Sequence, residues 1–561
     1  MPIQARDREF RFPRISYLDF KFLEMDRVLT SFFARVWHNG YPSRIRRNFE
    51  LTIDAIVAEF LEHPEWFGGF QKYSDVTRRW VETHLMDVVN RGKGEAQKVA
   101  APRPLHGFTY RFRNVKHSRP YGADEHLYEM LFHARDGRGA RALEHLKAFF
   151  FLNVDPATHQ STQEAMVDVE TQAILRLMNQ VKEDAPDTAK GRESYPPLCV
   201  GACDLLADDV LRLLFYQRFI PRSVLVEYLK ILLSFHLALY HLRLLKMLPA
   251  LVRRKAADLA CGAAACGIQV QSHTTSQKDC PYRVGIFADV INRPGTPTAA
   301  LAERSADVWY RRIPPFVKAY FAVKKLDEFA GQLVKHGKLT RPQGGFAVSD
   351  LLPLLESLYK DEREPYFKMR LAAILEDTSG DSEDVVPEIR HLLDMRLPAF
   401  ETYIELLFAH RGDFHRKYIV ECIDSLLMKN RAGAVIAQPR TKSAPRRFII
   451  DSRLLEVLLQ VAVLRPGGAL GFHTASLRVD EFLSFIQDRY GIYISQLPPA
   501  DGFGEATLSE RAALRANVSA FTSRLREVGF YQDLSDAYIT QTVTPRYTIA
   551  EANSQPEGDN R

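Results

Sequence analysis

Apolar residues recur at three- and four-residue spacing along most of this chain, the period of helices that bury one face. "YLDFKFLEMDRVLTSFFARVW" and "FELTIDAIVAEFLEH" show it within residues 17–93. The same period predicts helices over about 124–183, 198–252, 301–335, 350–376 and 385–429. Polar or Pro- and Gly-bearing stretches interrupt it: "GKGEAQKVAAPRPLHG" at 92–107, "KEDAPDTAKGRESYPP" at 182–197, the acidic "EDTSGDSED" at 376–384 and the basic "AQPRTKSAPRR" at 437–447. These read as linkers or loops. Between the first of them and residue 124, "FTYRFRNVKHSRPYG" alternates aromatic and basic residues and predicts a strand or hairpin.

The most apolar segment, residues 224–252, is broken by Glu227, Lys230, Arg243 and Lys246, and its longest run without Asp, Glu, Lys or Arg is twelve residues, 231–242. A bilayer span needs about 20 apolar residues, so the segment is expected to be a buried core helix and no membrane partner is expected. Pro221 suits its first turn. Glu227, Lys230, Ser234 and His241 leave a narrow polar stripe on an otherwise apolar cylinder, which places this helix at the centre of the main domain.

The period then changes towards the C-terminus. "RRFIIDSRLLEVLLQVAVL", 446–464, is a short strand and a helix that Asp451 or Ser452 can cap. "RVDEFLSFIQDRYGI", 478–492, is a second helix stopped by Gly491. "LSERAALRANVSAFTSRLREVGF" is a third, with Ser509 as N-cap and Gly529 as stop, followed by two β-rich runs in "YQDLSDAYITQTVTPRYTI". Three helices and a hairpin are the order of a winged helix.

The expected fold is therefore mainly α, a multidomain helical scaffold with a C-terminal winged-helix-like module. Its parts are an N-terminal helical domain, 1–93; a linker and basic aromatic strand segment, 94–123; a central helical domain with the buried helix, 124–260; an irregular Cys- and His-containing segment, 261–300; a second helical domain, 301–430; a basic linker, 431–451; the winged-helix-like module, 452–550; and a disordered tail, 551–561.

On the third C-terminal helix, at about 100° per residue, Leu514, Val518, Phe521, Leu525 and Val528 share one face, and Arg511, Arg515, Ser519, Thr522 and Arg526 gather on an adjacent stripe. A recognition helix needs both, an apolar face to hold it and a basic face for phosphates and base edges. Arg440, Lys442, Arg446 and Arg447 just upstream could follow a phosphate backbone. Charge bears the other way. The whole chain of 561 residues carries only +6, and residues 454–561 hold nine basic and thirteen acidic residues. Dedicated DNA-binding modules are usually basic, so a protein-docking winged helix stands beside the DNA reading.

The aromatic and basic residues of 101–122 could stack on unpaired bases. Phe108, Tyr110 and Phe112 are two apart, however, and would share one face of an ordinary half-buried strand, with Arg111 and Arg113 on the other. Cys261, Cys266, His273 and Cys280 are zinc-type ligands, but the paired CxxC spacing of a zinc knuckle is absent, and small buried thiols explain "CGAAAC" as well. Zinc is the one cofactor the sequence offers. No phosphate-binding loop, HExxH, GxSxG or kinase signature occurs, and no catalytic residue is assigned. Asp289 ends the apolar run "VGIFADV", where an acid can hold a metal, act as a base or cap a turn. Six cysteines in so long a chain, and a charged N-terminus without an apolar stretch, point to the cytoplasm.

Three stretches carry a family resemblance: "IPRSVLVEYLKILLSFHLALYHLRLLKMLP", "IFADVINRPGTPTAALAERSADVWYRRI" and "LREVGFYQDLSDAYITQTVTPRYTI". Together the chain resembles a core component of the bacterial methylation-associated defence system. The resemblance implies a cytoplasmic protein that works with other defence-system proteins against foreign DNA, and it brings no catalytic residues. Three readings remain open: a non-enzymatic subunit of an anti-phage complex that binds double-stranded DNA or partner proteins, a protein-interaction scaffold without nucleic-acid contact, and a cryptic enzyme or zinc protein centred on 261–289.

Overall fold

The structure, a computed structural model, describes residues 5–44, 51–153, 168–178, 185–189, 191–255, 266, 268–271, 274–378, 391–392, 394–441, 444–467, 471–499, 501–532 and 541–550. It is mainly helical. From residue 200 onward the principal helices are α1 (Val200–Phe215), α2 (Arg222–Arg254), α3 (Pro297–Tyr310), α4 (Ile313–Lys335), α5 (Ala399–Leu426), α6 (Ser452–Val463), α7 (Val479–Tyr490) and α8 (Leu508–Glu527).

Helix α2 is the expected core helix. Its length and composition would let it cross a membrane, yet 78% of its most apolar window is buried inside the fold. Helices α1, α4, α5 and α6 pack around it. Its polar positions are matched one by one. Lys230 Nζ lies 3.0 Å from Asp26 and 2.7 Å from Glu227, Ser234 Oγ donates to the Leu426 carbonyl at 2.8 Å, and His241 Nε2 is 2.9 Å from Ser16 Oγ. Buried polar groups left without partners would cost roughly 1–3 kcal/mol each, so these contacts let a polar stripe pass through an apolar centre.

Two expectations from the sequence are corrected here. Residues 92–107 are not a plain linker: β1 (Met86–Val89) and β2 (Lys98–Pro102) form an antiparallel hairpin across them. Phe108, Tyr110 and Phe112 are not in a strand but in a short 3₁₀ turn, Gly107–Phe112, with all three rings buried. Pro102 and Pro104 end the ladder, because proline cannot donate to it. His106 then caps the turn, its Nδ1 accepting from the Phe108 amide at 3.2 Å. The Arg111 guanidinium covers the Phe108 ring at 4.0 Å.

Short strands knit the C-terminal third into the rest. β3 (Ile286–Phe287) lies parallel to a strand at Ile492–Tyr493 and is joined through Asp289 to Ile449 by a parallel bridge. β4 (Ile436–Ala437) pairs antiparallel with β5 (Arg447–Phe448), so the two ends of the stretch expected as a basic linker are paired strands. β6 (Leu477–Arg478) comes immediately before α7, and β7 is the strand Ile492–Tyr493. After α8 follow β8 (Tyr531–Gln532) and β9 (Thr542–Val543). β6, β9 and β8 form an antiparallel sheet in that order.

Candidate nucleic-acid interface

Helix α8 is set by local sequence at its start. Thr507, not Ser509, is the N-cap; its hydroxyl accepts from the Glu510 amide, and Glu510 reaches back to the Thr507 amide at 2.8 Å. This reciprocal box satisfies two donors that a helix end otherwise leaves open. Asp451 caps α6, and Gly491, at φ 75°, closes α7.

The inner side of α8 is fixed by apolar contact and by one amide. Leu514, Phe521, Leu525 and Val528 are buried, and Phe521 stacks on Phe482 of α7 at 5.8 Å between ring centres. Asn517, fully buried, donates to the Ala288 and Ile494 carbonyls at 2.9 and 3.1 Å and accepts from the Val290 amide at 2.8 Å. It ties the helix to β3 and to the chain just after β7. Nothing in the local sequence marks this role, because an Asn in a helix interior otherwise reads as a weak helix former.

The outer side carries Arg511, Arg515, Ser519 and Arg526, all exposed. Among the described residues neither Arg511 nor Arg515 has an acidic partner. Arg511 Nε donates to the Ala506 carbonyl at 3.1 Å, and Arg526 lies over the Tyr531 ring at 4.8 Å. Thr522 leaves the stripe: it is buried, and its hydroxyl donates to the Val518 carbonyl at 3.2 Å.

The upstream cations divide. Arg440 is exposed, and Lys442 lies outside the described residues. Arg446 holds Asp424 with two bonds of 2.9 Å, the same carboxylate that accepts from Tyr310 at 2.6 Å. Arg447 is buried, donating to the Asn292 side chain at 2.8 Å, with its Nε 3.8 Å from Asp289. Arg446 and Arg447 are thus engaged in the fold, because chain folding brought carboxylates to them from elsewhere. Asp289 is fully buried at the carboxyl end of β3, and burial raises its carboxyl above the usual range. Arg447, the Thr298 hydroxyl and the amides of Ile291 and Asn292 offset only part of that.

Of the four zinc-type residues, Cys261 and His273 lie outside the described residues. Cys280 is buried, and Cys266 packs its sulfur against Gly201, where any side chain would collide with it. Cys199, just before α1, and Cys203, at its start, come to the same neighbourhood, and Arg243 Nη1 lies 3.7 Å from the Cys199 sulfur. Burial raises the Cys203 and Cys280 thiols, which favours their neutral form. Among the described residues no three ligand-type groups converge as a metal would require.

A second group of residues invisible in the sequence lies beneath the module. Arg489 of α7, fully buried, meets Asp208 and Asp209 of α1, with Nε 2.9 Å from Asp209 Oδ1, and donates to Thr275 at 2.6 Å. Asp209 also accepts from Tyr490 and lies against His236, both at 2.8 Å. Gln277 joins Arg243 to the Arg489 carbonyl. Burial opposes the Asp209 charge, but Arg489 and then His236 outweigh it and hold the carboxyl down at about 2.

Compared with known families, residues 5–547 match the family model described as methylation-associated defense system protein MAD7. No curated protein matches the chain.

Proposed function

The chain belongs to the methylation-associated defense system protein MAD7 family, and from that premise we propose that it is a non-enzymatic subunit of a bacterial anti-phage defence complex that contacts double-stranded DNA through α8. The order helix, strand, two helices and hairpin, with β6 beside β9, supports reading residues 452–550 as a winged helix. In that arrangement the third helix enters the major groove. The observation that carries the proposal is the exposed stripe of Arg511, Arg515, Ser519 and Arg526 on a helix whose other side is fixed. From Arg511 to Arg526 the stripe runs about 22 Å at the rise of an α-helix, enough for contacts to phosphates on both walls of a groove. Arg440 adds a further exposed cation.

A second reading has its own support. Residues 454–561 are net acidic, and Leu508, at the start of the stripe, is 84% exposed. An apolar tip beside arginines suits another protein of the same defence system. Binding of the intact protein to duplex DNA across a salt series, beside an Arg511/Arg515/Arg526 triple Ala variant, tests the first reading. Affinity that falls with salt, with a flatter slope in the variant, places DNA on α8. No binding at low salt removes DNA from the proposal and leaves protein docking.

A further inference from the structure

A cavity of about 320 Å³ opens between the segment 277–284 and residues 487–499, lined by Lys278, Arg283, Val284, Asp488, Tyr493 and Pro499 among others. It has nothing to do with the exposed side of α8. Its position follows from the fold: the Gln277 amide donates to the Asp488 carbonyl at 3.1 Å on one side, and β3 pairs with β7 on the other. Ligand sites fall at about 300–1,000 Å³, so this one suits a group of mononucleotide size.

Its lining is divided by chemistry. Val284, Tyr493 and Pro499 supply an apolar wall, in which the Tyr493 ring runs beside Gly285. Lys278 and Arg283 supply two cations. Arg283 is steadied by a 2.7 Å bond from its Nη1 to the Lys278 carbonyl, which leaves the rest of its fork available. Asp488, 3.7 Å from Lys278, is the carboxylate of the lining. The surroundings add cations. Lys246 donates to the Arg283 carbonyl at 3.1 Å, and Lys246 and Arg312 share Asp501 at 3.2 and 2.7 Å. Within the lining itself two cations face one carboxylate, an excess that favours an anion. Burial lowers the Lys246 amine, Asp501 opposes that, and Arg312 and Arg283 add smaller repulsions.

We propose that this cavity binds a nucleoside monophosphate, its base against Tyr493, Val284 and Pro499, its phosphate on Lys278 and Arg283, and Asp488 accepting from a base or sugar N–H or O–H. The same chemistry is presented by a free nucleotide and by the 5′-phosphorylated end of a strand. A ligand here touches the segment 277–284 and both α7 and β7, and so would tighten the join between the module and the centre.

Isothermal titration of the full chain with AMP, and separately with 5′-phosphorylated and 5′-hydroxyl tetrathymidylate, tests this. The expected result is saturable binding of AMP, of the 5′-phosphorylated strand, or of both, at least tenfold weaker in a Lys278→Glu/Arg283→Gln variant. Lys278 is 70% exposed, so Lys278→Glu alone keeps the fold and still weakens binding severalfold. The Arg511/Arg515/Arg526 variant binds as the parent does, which separates this site from the duplex surface. Preference for AMP identifies a free nucleotide, and preference for the 5′-phosphorylated strand identifies a strand end. No saturable binding into the millimolar range overturns the proposal. So does binding unchanged by both cavity variants, or equal binding of the 5′-hydroxyl strand.

Discussion

Arg489 Nε donates to the Asp209 carboxylate at 2.9 Å across 280 positions of sequence, with both side chains fully buried. This pair makes the C-terminal module part of the core. Removing one partner of a buried ion pair leaves an uncompensated charge and costs about 3–5 kcal/mol. Arg489→Met is therefore expected to lower unfolding stability by about that much in urea. Adding Asp209→Asn to it should recover part of the loss, because the stranded charge is gone. A single Arg489→Met effect under about 1 kcal/mol would show that the pair contributes little beyond specificity. The acid limb follows from the same pair. The Asp209 carboxyl is held at about 2, below its ordinary 3.8. A depressed carboxyl contributes stability that is complete above its unfolded value and is lost as pH falls through its folded one. Its share should therefore disappear between about pH 4 and pH 2, and the Arg489→Met variant should have a flatter stability profile over that window.

The buried histidines set a second pH dependence, at milder acidity. Burial, and then the Arg222 charge, hold His106 down at about 3, and burial holds His241 at about 4, against an ordinary 6.5. Both stay neutral in the fold and take up protons on unfolding. Stability is then complete above pH 6.5 and falls as pH drops towards 4, at roughly 1.4 kcal/mol per histidine per unit at most. Between about pH 7 and pH 5.5 the two together should remove roughly 2 kcal/mol, read by urea unfolding at each pH. A flat profile over that range would show that they are solvated.

Asn517 holds α8 to the strands by three hydrogen bonds. Asn517→Leu keeps the branched heavy-atom shape and leaves the Val290 amide and the Ala288 and Ile494 carbonyls without their partner. Unsatisfied buried groups cost about 1–3 kcal/mol each, so a loss of roughly 3 kcal/mol is expected in thermal or urea unfolding. Amide exchange should rise at Val290, and duplex affinity should fall through the misplaced helix. Ser519→Ala, on the exposed side, should leave stability unchanged.

The α8 arginines differ from the upstream pair in what they do. Each phosphate contact removed should reduce the slope of log affinity against log salt by about 1, so the Arg511/Arg515/Arg526 triple Ala variant should lose roughly 2–3. Arg446→Ala and Arg447→Ala should act on folding instead, since each breaks a contact already made inside the protein. An equal loss of salt slope with Arg446→Ala would contradict this division.

Read alone, the chain determined what depends on near neighbours. Helical spacing announced a mainly α protein, and the long Leu-rich run announced the buried α2. Asp451 and Gly491 marked helix ends, and the apolar residues of α8 marked its inner side. These rest on dihedral preference, capping and a period of 3.6, which a few residues carry by themselves. Where the local signal was ambiguous it misled: alternating Phe108, Tyr110 and Phe112 fit a strand, but Pro102, Pro104 and the His106 cap turn that stretch into a 3₁₀ helix. Only the tertiary structure decided which polar residues remain available. Arg446 and Arg511 look alike in sequence, yet Asp424 takes the first and no described carboxylate reaches the second. Arg489 reads as one more surface cation on an amphipathic helix until α1 brings Asp209 to it. Such outcomes depend on charges 22 positions away for Arg446 and 280 for Arg489, and their Coulomb and desolvation energies exist only once the chain has closed around them.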